Sequence, residues 1–479
     1  MLGRGHYGTV RLAVSESKGS TVVAVKTIAK SKINKSLKLI HRELELLKEL
    51  DHPNIVKFYE NYQDNEHFHI VMEYCSGGEL LDKLLRIGQF DERQVAFQMD
   101  KALRAIKYLH ERGIVHRDIK PQNFMYSSKT HDAEIKLIDF GLSRHFEPNE
   151  TLQSQVGTPY FTAPEVLTGS YDCSCDLWSL GVMLYLLLSG TLPFEGDTTA
   201  ALAKAILTTQ PDFSRKEWAR ITPLAKSLVK DLLEKDPKKR ITAEKALEHP
   251  WIVSGRRNSF IDPEHTNQIM RNLQNYSAKS KFKKEVLDVL VTILNDKEVK
   301  QLREAFNFFD KDGNGEITLA ELKEVIKDQG LKITDKELEK IMKNFGLQET
   351  DTIGFSEFLA AAMDQKLYQN REVLWAAFSH FDTDKAGYIT ANNIREAMKR
   401  VGRKLTADEI NAMIAEVEKR KDDRITFEEF CALMKMEDYT KEIEEETKKV
   451  DLVGKEVCVQ GKRQNTVFFA KANTLVEMA

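Results

Sequence analysis

The chain has 479 residues, 42% of them hydrophobic and 30% charged, with a formal net charge of −3. That length holds two or three globular domains, and the near-neutral balance excludes a basic nucleic-acid footprint or a polybasic membrane patch. The five cysteines (Cys75, Cys173, Cys175, Cys431, Cys458) are odd in number and scattered, which argues against a disulfide framework and for a reducing, cytoplasmic setting.

The chain opens on Gly3-Arg4-Gly5-His6-Tyr7-Gly8-Thr9-Val10, a G-x-G-x-x-G-x-V pattern. Glycines there let backbone amides approach nucleotide phosphates without Cβ atoms in the way. Alone, the pattern also fits a tight turn or a dinucleotide fingerprint. Its position at residue 3 implies that whatever normally precedes it is missing, and no lipidation signal or membrane association is visible. Alternating apolar runs at 21–25 and 69–72 predict strands, and the periodicity of 37–50 and 92–109 predicts helices. Val23-Ala24-Val25-Lys26 puts a lysine on the next-but-one strand after the glycine motif, where it reaches phosphates if an acid holds it; Glu43 is the candidate acid. His116-Arg117-Asp118-Ile119-Lys120-Pro121-Gln122-Asn123, Asp139-Phe140-Gly141 and Ala163-Pro164-Glu165 then follow in order.

This ordered set is the protein-kinase signature. Phosphoryl transfer depends on positioning and on neutralising charge. Asp118 orients the substrate hydroxyl and accepts its proton, and Lys120 stabilises the transferring group. Asn123 and Asp139 offer hard oxygen ligands for Mg2+, with ATP as phosphoryl donor. A catalytically dead scaffold usually lacks one of Lys26, Asp118 or Asp139, and all three are kept here. The apolar stretch at 177–188 is too short to span a bilayer and predicts a buried helix.

At this point the chain resembles the calcium- and calmodulin-dependent kinase group. The resemblance makes Met72 the gatekeeper and Glu73, Tyr74 and Cys75 the hinge. It implies nucleotide contacts by Leu2, Gly3, Arg4, Gly5, Gly8, Val10, Ala24, Lys26, Glu73, Cys75 and Glu79. Glu79 also matches the acid that reads an arginine upstream of the target hydroxyl, so basophilic protein substrates are expected. The stretch 157–165 (GTPYFTAPE) is similar to the Ser/Thr class, and Arg240 looks like the structural partner of Glu165. Two departures stand out: Gln122 where family members usually have glutamate, and Ser154 where relatives with attached EF-hands often carry an acid. Ser154 is either a phosphorylation site pairing with Arg117 or an ordinary solvated loop serine. Ser259 is a plausible autophosphorylation site.

Residues 267–308 read as amphipathic helix, with Leu273, Leu287, Leu290, Val291 and Leu294 as apolar positions and Lys279, Lys281, Lys283 and Lys284 as a basic cluster. From 310 onward there is a repeat of period 36: loops begin at Asp310, Gly346, Asp382 and Glu418, with isoleucine at the eighth position of each. The first loop, 310–321, fits the EF-hand pattern throughout. Asp310, Asp312 and Asn314 supply side-chain oxygens, Glu316 a carbonyl and Glu321 a bidentate carboxylate, so it is expected to bind Ca2+. The second loop (346–357) has Gly346 first and Asp351 in the glycine place. The third (382–393) has Ala386 and Asn393 at ligand positions, and the fourth (418–429) has Arg420 and Asp423. The second and fourth are expected to be empty, each completing its partner's fold through the position-eight contact. The third is ranked below the first.

As a whole, 1 to about 436 resembles the calcium-dependent protein kinases of plants and protists. The implied class is α+β: a two-lobed kinase (1–251), an autoinhibitory junction (252–297), an all-α four-EF-hand calmodulin-like domain (298–436) and a tail (437–479). The family implies that the junction helix, here 267–297, occludes the kinase until calcium draws it into the calmodulin-like domain. The expected unit is a monomer. One working hand at about 100 times its dissociation constant supplies about 2.7 kcal/mol. A full reversal from 1:99 to 99:1 needs about 5.5 kcal/mol, so a partial switch is expected. Rival readings are a constitutive kinase with an EF-hand interaction module, and a calcium sensor with a vestigial kinase.

Overall fold

The computed structural model describes residues 2–4, 8–15, 21–32, 37–88, 90–130, 133–146, 150, 152–153, 157–256, 263–276, 281–293, 296–345, 351–363, 370–400, 403, 405–417 and 422–435. The first lobe is an antiparallel sheet in the order β1-β2-β3-β5-β4, made of β1 (Gly3–Arg4), β2 (Gly8–Ser15), β3 (Thr21–Ala29), β4 (Phe58–Gln63) and β5 (His67–Glu73). β3 is rich in β-branched residues, as a central strand should be. It pairs with β2 from Gly8↔Ile28 to Ser15↔Thr21, and with β5 from Val23↔Glu73 to Ala29↔His67. Helix α1 (Leu37–Glu49) packs its buried leucines, Leu44, Leu46 and Leu47, into the same core.

The second lobe is helical, from α2 (Leu80–Ile87) and α3 (Glu92–Glu111) to α4 (Pro164–Thr168), α5 (Ser174–Ser189), α6 (Thr199–Thr208), α7 (Pro223–Leu232), α8 (Ala243–Glu248) and α9 (Pro250–Gly255). Short strands β6 (Ile114–Val115), β7 (Phe124–Tyr126), β8 (Ile135–Leu137) and β9 (Arg144–His145) carry the loops between α3 and α4. α5 is apolar on nearly every face because it runs through the lobe's centre; Trp178, Leu180, Val182 and Leu184 are all buried. Among the described residues no helix is long and apolar enough to cross a membrane.

The stretch expected as one amphipathic helix at 267–308 is three: α10 (Pro263–Asn275), α11 (Lys281–Ile293) and α12 (Asp296–Phe309). Ser277, Ser280 and Asn295 lie between them in sequence, side chains that compete for helical amides and so favour ends. Four hands follow, with α13 (Leu319–Asp328), α14 (Asp335–Asn344), α15 (Phe355–Ala362), α16 (Arg371–Phe381), α17 (Ala391–Arg400), α18 (Ala407–Val417) and α19 (Phe427–Lys435). Their loops meet in two-stranded pairs: β10 (Glu316–Ile317) with β11 (Ile353–Gly354), and β12 (Tyr388–Ile389) with β13 (Ile425–Thr426). The position-eight isoleucines face each other, Ile317↔Ile353 and Ile389↔Ile425.

Among the described residues there are two hydrophobic cores. One fills the kinase lobes, and the other joins α10 and α11 to the EF-hands. Phe282 of α11 lies edge-on to Phe381 (5.2 Å) and Phe430 (6.1 Å) of the second EF-hand pair. Helices α10 and α11 therefore pack as part of the EF-hand unit. The first EF-hand pair rests on the kinase: Arg104 of α3 donates to the Asp310 carbonyl (3.3 Å), Lys107 to the Asp312 carbonyl (3.1 Å), and Ser356 donates to Asp51 (2.6 Å). A Cβ on Gly315 (φ 82°) would lie 2.6 Å from the His52 ring, so that glycine serves both the turn and the contact.

Candidate active site and calcium site

β3 presents Lys26 and α1 presents Glu43, whose carboxylate accepts from the Lys26 ammonium at 2.6 Å. Lys26 also reaches Asp139 at 3.2 Å. Burial disfavours the ammonium, but Glu43 and Asp139 outweigh that cost and raise the Lys26 pKa above its ordinary value. Burial likewise raises Asp139, yet the Lys26 charge leaves it below the usual carboxylate value. Lys26 and Asp139 thus favour each other's charged form.

The catalytic loop is held from beneath. The buried Asp176 carboxylate accepts from the main-chain amides of His116 (2.9 Å) and Arg117 (2.8 Å) and pairs with the His110 ring (2.9 Å). Burial pushes the His110 pKa down, but Asp176 and Cys173 lift it to about 10, so the ring is charged at neutral pH. Arg117 (φ 69°) and Asp139 (φ 61°) both take the left-handed backbone without being glycine. Such strain persists only where surrounding contacts enforce it. The His116 ring sits edge-on to Phe140 at 5.1 Å, joining the two motifs.

Asp118 has three partners. Lys120 donates to it at 2.7 Å, the Thr158 hydroxyl at 2.9 Å, and the Asn123 amide at 3.1 Å. Lys120 also donates to the Thr158 oxygen at 2.9 Å, so the threonine bridges base and lysine. Because Asn123 turns its NH2 toward Asp118, its amide oxygen is the group left to a cation. With the carboxylate of Asp139, 46% exposed, that donor set fits a hard ion such as Mg2+.

The expected nucleotide contacts fall on several elements. Leu2, Gly3 and Arg4 lie on and before β1, Gly8 and Val10 on β2, and Ala24 on β3 opposite the gatekeeper Met72. Glu73 ends β5, with its carboxylate accepting from Lys136 at 2.8 Å and its main-chain amide donating to the Lys57 carbonyl at 2.9 Å. Cys75 is buried, and Glu79 precedes α2. Gly5, His6 and Tyr7 lie outside the described residues, as do Ser154, Ser259, Lys279, Gly346 and Glu418. At Gly8 the need for glycine has a second source: a Cβ there would meet the Thr27 carbonyl oxygen at 2.1 Å. Arg240 pairs with Glu165 through two nitrogens, one at 2.9 Å, in the buried interior.

In the first EF-hand, carboxylate oxygens of Asp310, Asp312 and Glu321 all lie within 4.8 Å of one another. The loop's amides point at them: Gly313 donates to Asp310 at 2.8 Å, Asn314 to Asp312 at 2.8 Å, and Glu316 to Asn314 at 2.8 Å. Burial, reinforced by Glu321 and Asp312, pushes the Asp310 pKa up to about 7 against the pull of Arg104. A cluster of three carboxylates this close fits a divalent cation. The third loop satisfies itself instead. Asn393 donates to Asp384 at 3.1 Å and to Thr383 at 2.9 Å, putting an amide where the twelfth-position acid would be. In the second loop Glu357 pairs with Lys284 of α11, and in the fourth Asp423 (φ 56°) occupies the glycine position.

Thr158, His110 and Asp176 do not stand out in the sequence as functional positions, and Lys284 does so only as one lysine of the basic cluster, without its partner Glu357. Asp176 carried a signal, a lone acid opening an otherwise apolar helix, which must be paired to be buried. The partners of Thr158 and Lys284 carried none, since they are 40 and 73 residues away.

A protein kinase domain family matches residues 1–252, and an EF-hand domain pair matches 299–363 and again 371–435. Calcium-dependent protein kinase 34 of Arabidopsis thaliana is 38% identical over 437 residues, covering 91% of this chain and 83% of that protein. Calcium-dependent protein kinase 3 of Plasmodium berghei (strain Anka) is 36% identical over 441 residues, covering 91% and 79%.

Proposed function

The chain belongs to the calcium-dependent protein kinases, and from that premise we propose how its residues divide the work of a calcium-regulated protein serine/threonine kinase. ATP is the phosphoryl donor and protein is the acceptor. When bound, the Mg2+ held by Asp139 and Asn123 neutralises phosphate charge. Lys26, fixed by Glu43, orients the phosphates. Asp118 receives the substrate hydroxyl's proton, with Thr158 and Lys120 fixing its carboxylate, and Lys120 faces the transferred group. Glu79, whose pKa burial raises, lies at the cleft edge where an upstream basic residue of the substrate is recognised.

The observation that carries this reading is the joined set Lys26–Glu43–Asp139, an ion-paired arrangement that a dead scaffold has no reason to keep. The domain limits are 1–251 for the kinase, 252–297 for the junction, 298–436 for the EF-hands and 437–479 for the tail. At rest the junction blocks the kinase. Calcium in the loop from Asp310 to Glu321 favours the arrangement described above, with α11 buried among the EF-hands. What supports the regulatory half is that burial, because a helix engaged there is unavailable to the cleft.

The catalytic half is tested with a serine peptide carrying upstream arginine, at saturating calcium. Asp118→Asn and Lys26→Met should each lower kcat/KM by about 10³ or more. Retained transfer in either variant would remove the assignment.

A further inference from the structure

The second EF-hand poses a chemical question that calcium does not answer. Its loop has glycine first and Asp351 in the glycine position, yet it keeps a glutamate, Glu357, at the twelfth. In the other three hands the twelfth side chain folds back on a threonine at position nine. Glu321 accepts from Thr318 (2.8 Å), Asn393 from Thr390 (2.6 Å) and Glu429 from Thr426 (2.8 Å). In the second hand position nine is Gly354, which has no hydroxyl, and α15 begins without a side-chain cap. Glu357 faces Lys284 of α11 instead and forms an ion pair with its ammonium. The pair is one-third exposed or less on each side, and burial raises the Glu357 pKa, so the carboxylate gains from a fixed cation.

The neighbouring positions of α11 do the same with opposite sign. Glu285 and Asp288 pair with Arg403, between α17 and α18 in the other EF-hand pair, the latter at 2.9 Å. One helix therefore sends a cation to the first pair and two anions to the second. Its apolar face, Phe282, Val286 and Leu290, is buried in the shared core. Apolar burial alone tolerates sliding and rotation of a helix in a groove; ion pairs of opposite sign on its two sides specify one register.

We infer that the second EF-hand is a receptor for the junction: Glu357 binds the Lys284 ammonium in place of a metal ion and, with Arg403, fixes α11 in its calcium-engaged register. This rests on the proposed engagement of the junction by the calmodulin-like domain and names the groups that recognise it.

The test uses the full chain at saturating calcium, with amide hydrogen exchange read over residues 281–293. Lys284→Glu and Glu357→Lys should each reduce α11 protection roughly two- to fivefold, the scale of one partly exposed ion pair. The double charge swap should restore it. Calorimetric titration of Glu357→Gln should return the wild-type number of calcium ions. Unchanged protection in the single variants, failure of the swap to restore it, or loss of a calcium ion in Glu357→Gln would each overturn the inference. Failure of the wider regulatory reading looks different: Glu321→Gln would then leave activation by calcium intact, whatever the exchange at α11 shows.

Discussion

Replacing Thr158 by valine removes one hydroxyl and keeps the shape of the side chain. That hydroxyl donates to the Asp118 carboxylate at 2.9 Å and accepts from Lys120 at 2.9 Å, so its loss frees two charged groups from a common anchor. Both side chains are mostly buried, 11% exposed for Asp118 and 21% for Lys120, and water replaces the lost partner poorly. A hydrogen bond to a charged group contributes about 1.5–3 kcal/mol. If that is lost in the transition state, kcat falls by roughly 10- to 150-fold. Steady-state phosphorylation of a serine peptide at saturating calcium separates the outcomes. The expected result is a fall in kcat with little change in the KM for ATP, and recovery in Thr158→Ser. A valine variant with wild-type kcat, or a loss confined to KM, would refute the reasoning.

Glu43→Gln leaves the Lys26 ammonium with Asp139 alone, and kcat/KM for ATP should drop roughly 100-fold while the fold is kept. Arg240→Ala strands the buried Glu165 carboxylate; breaking such a pair costs about 3–5 kcal/mol and should lower the kinase melting temperature by roughly 10 °C in calorimetry. The His110–Asp176 pair raises the His110 pKa from 6.5 to about 10, so its stabilisation is complete below pH 6.5 and fades as pH rises through 10. The melting-temperature gap between wild type and His110→Gln should therefore be widest at pH 6 and shrink by pH 10; a gap independent of pH would remove the charged-pair reading.

Local grammar made much of this legible. The glycine-rich opening, the lysine on an alternating strand and the ordered loop motifs each use residues whose chemistry depends on short spacing. The Lys26–Glu43 pair was legible because the motif order fixes which helix follows which strand. The isoleucine repeat read correctly as loop pairing, since period and position together specify Ile317 against Ile353 and Ile389 against Ile425. Contacts between distant segments of moderate specificity were hidden. Nothing local distinguishes Lys284 from its neighbours Lys281 and Lys283; only the turn of α11 selects it for Glu357. The single long helix expected at 267–308 failed for a related reason. Apolar periodicity in the sequence persists across the helix boundaries, whereas the serines and asparagine that favour helix ends carry a weaker signal.

In the proposed regulation, cation capture by Asp310, Asp312, Asn314, Glu316 and Glu321 governs phosphoryl transfer at Asp118. The direct measurement is peptide phosphorylation by the full chain across a calcium series from chelator to saturation, for wild type and Glu321→Gln. The expected result is activation of wild type by no more than about 100-fold, the limit one site at 100 times its dissociation constant can supply, with Glu321→Gln held at the chelator level throughout. Equal calcium responses in the two proteins would contradict it.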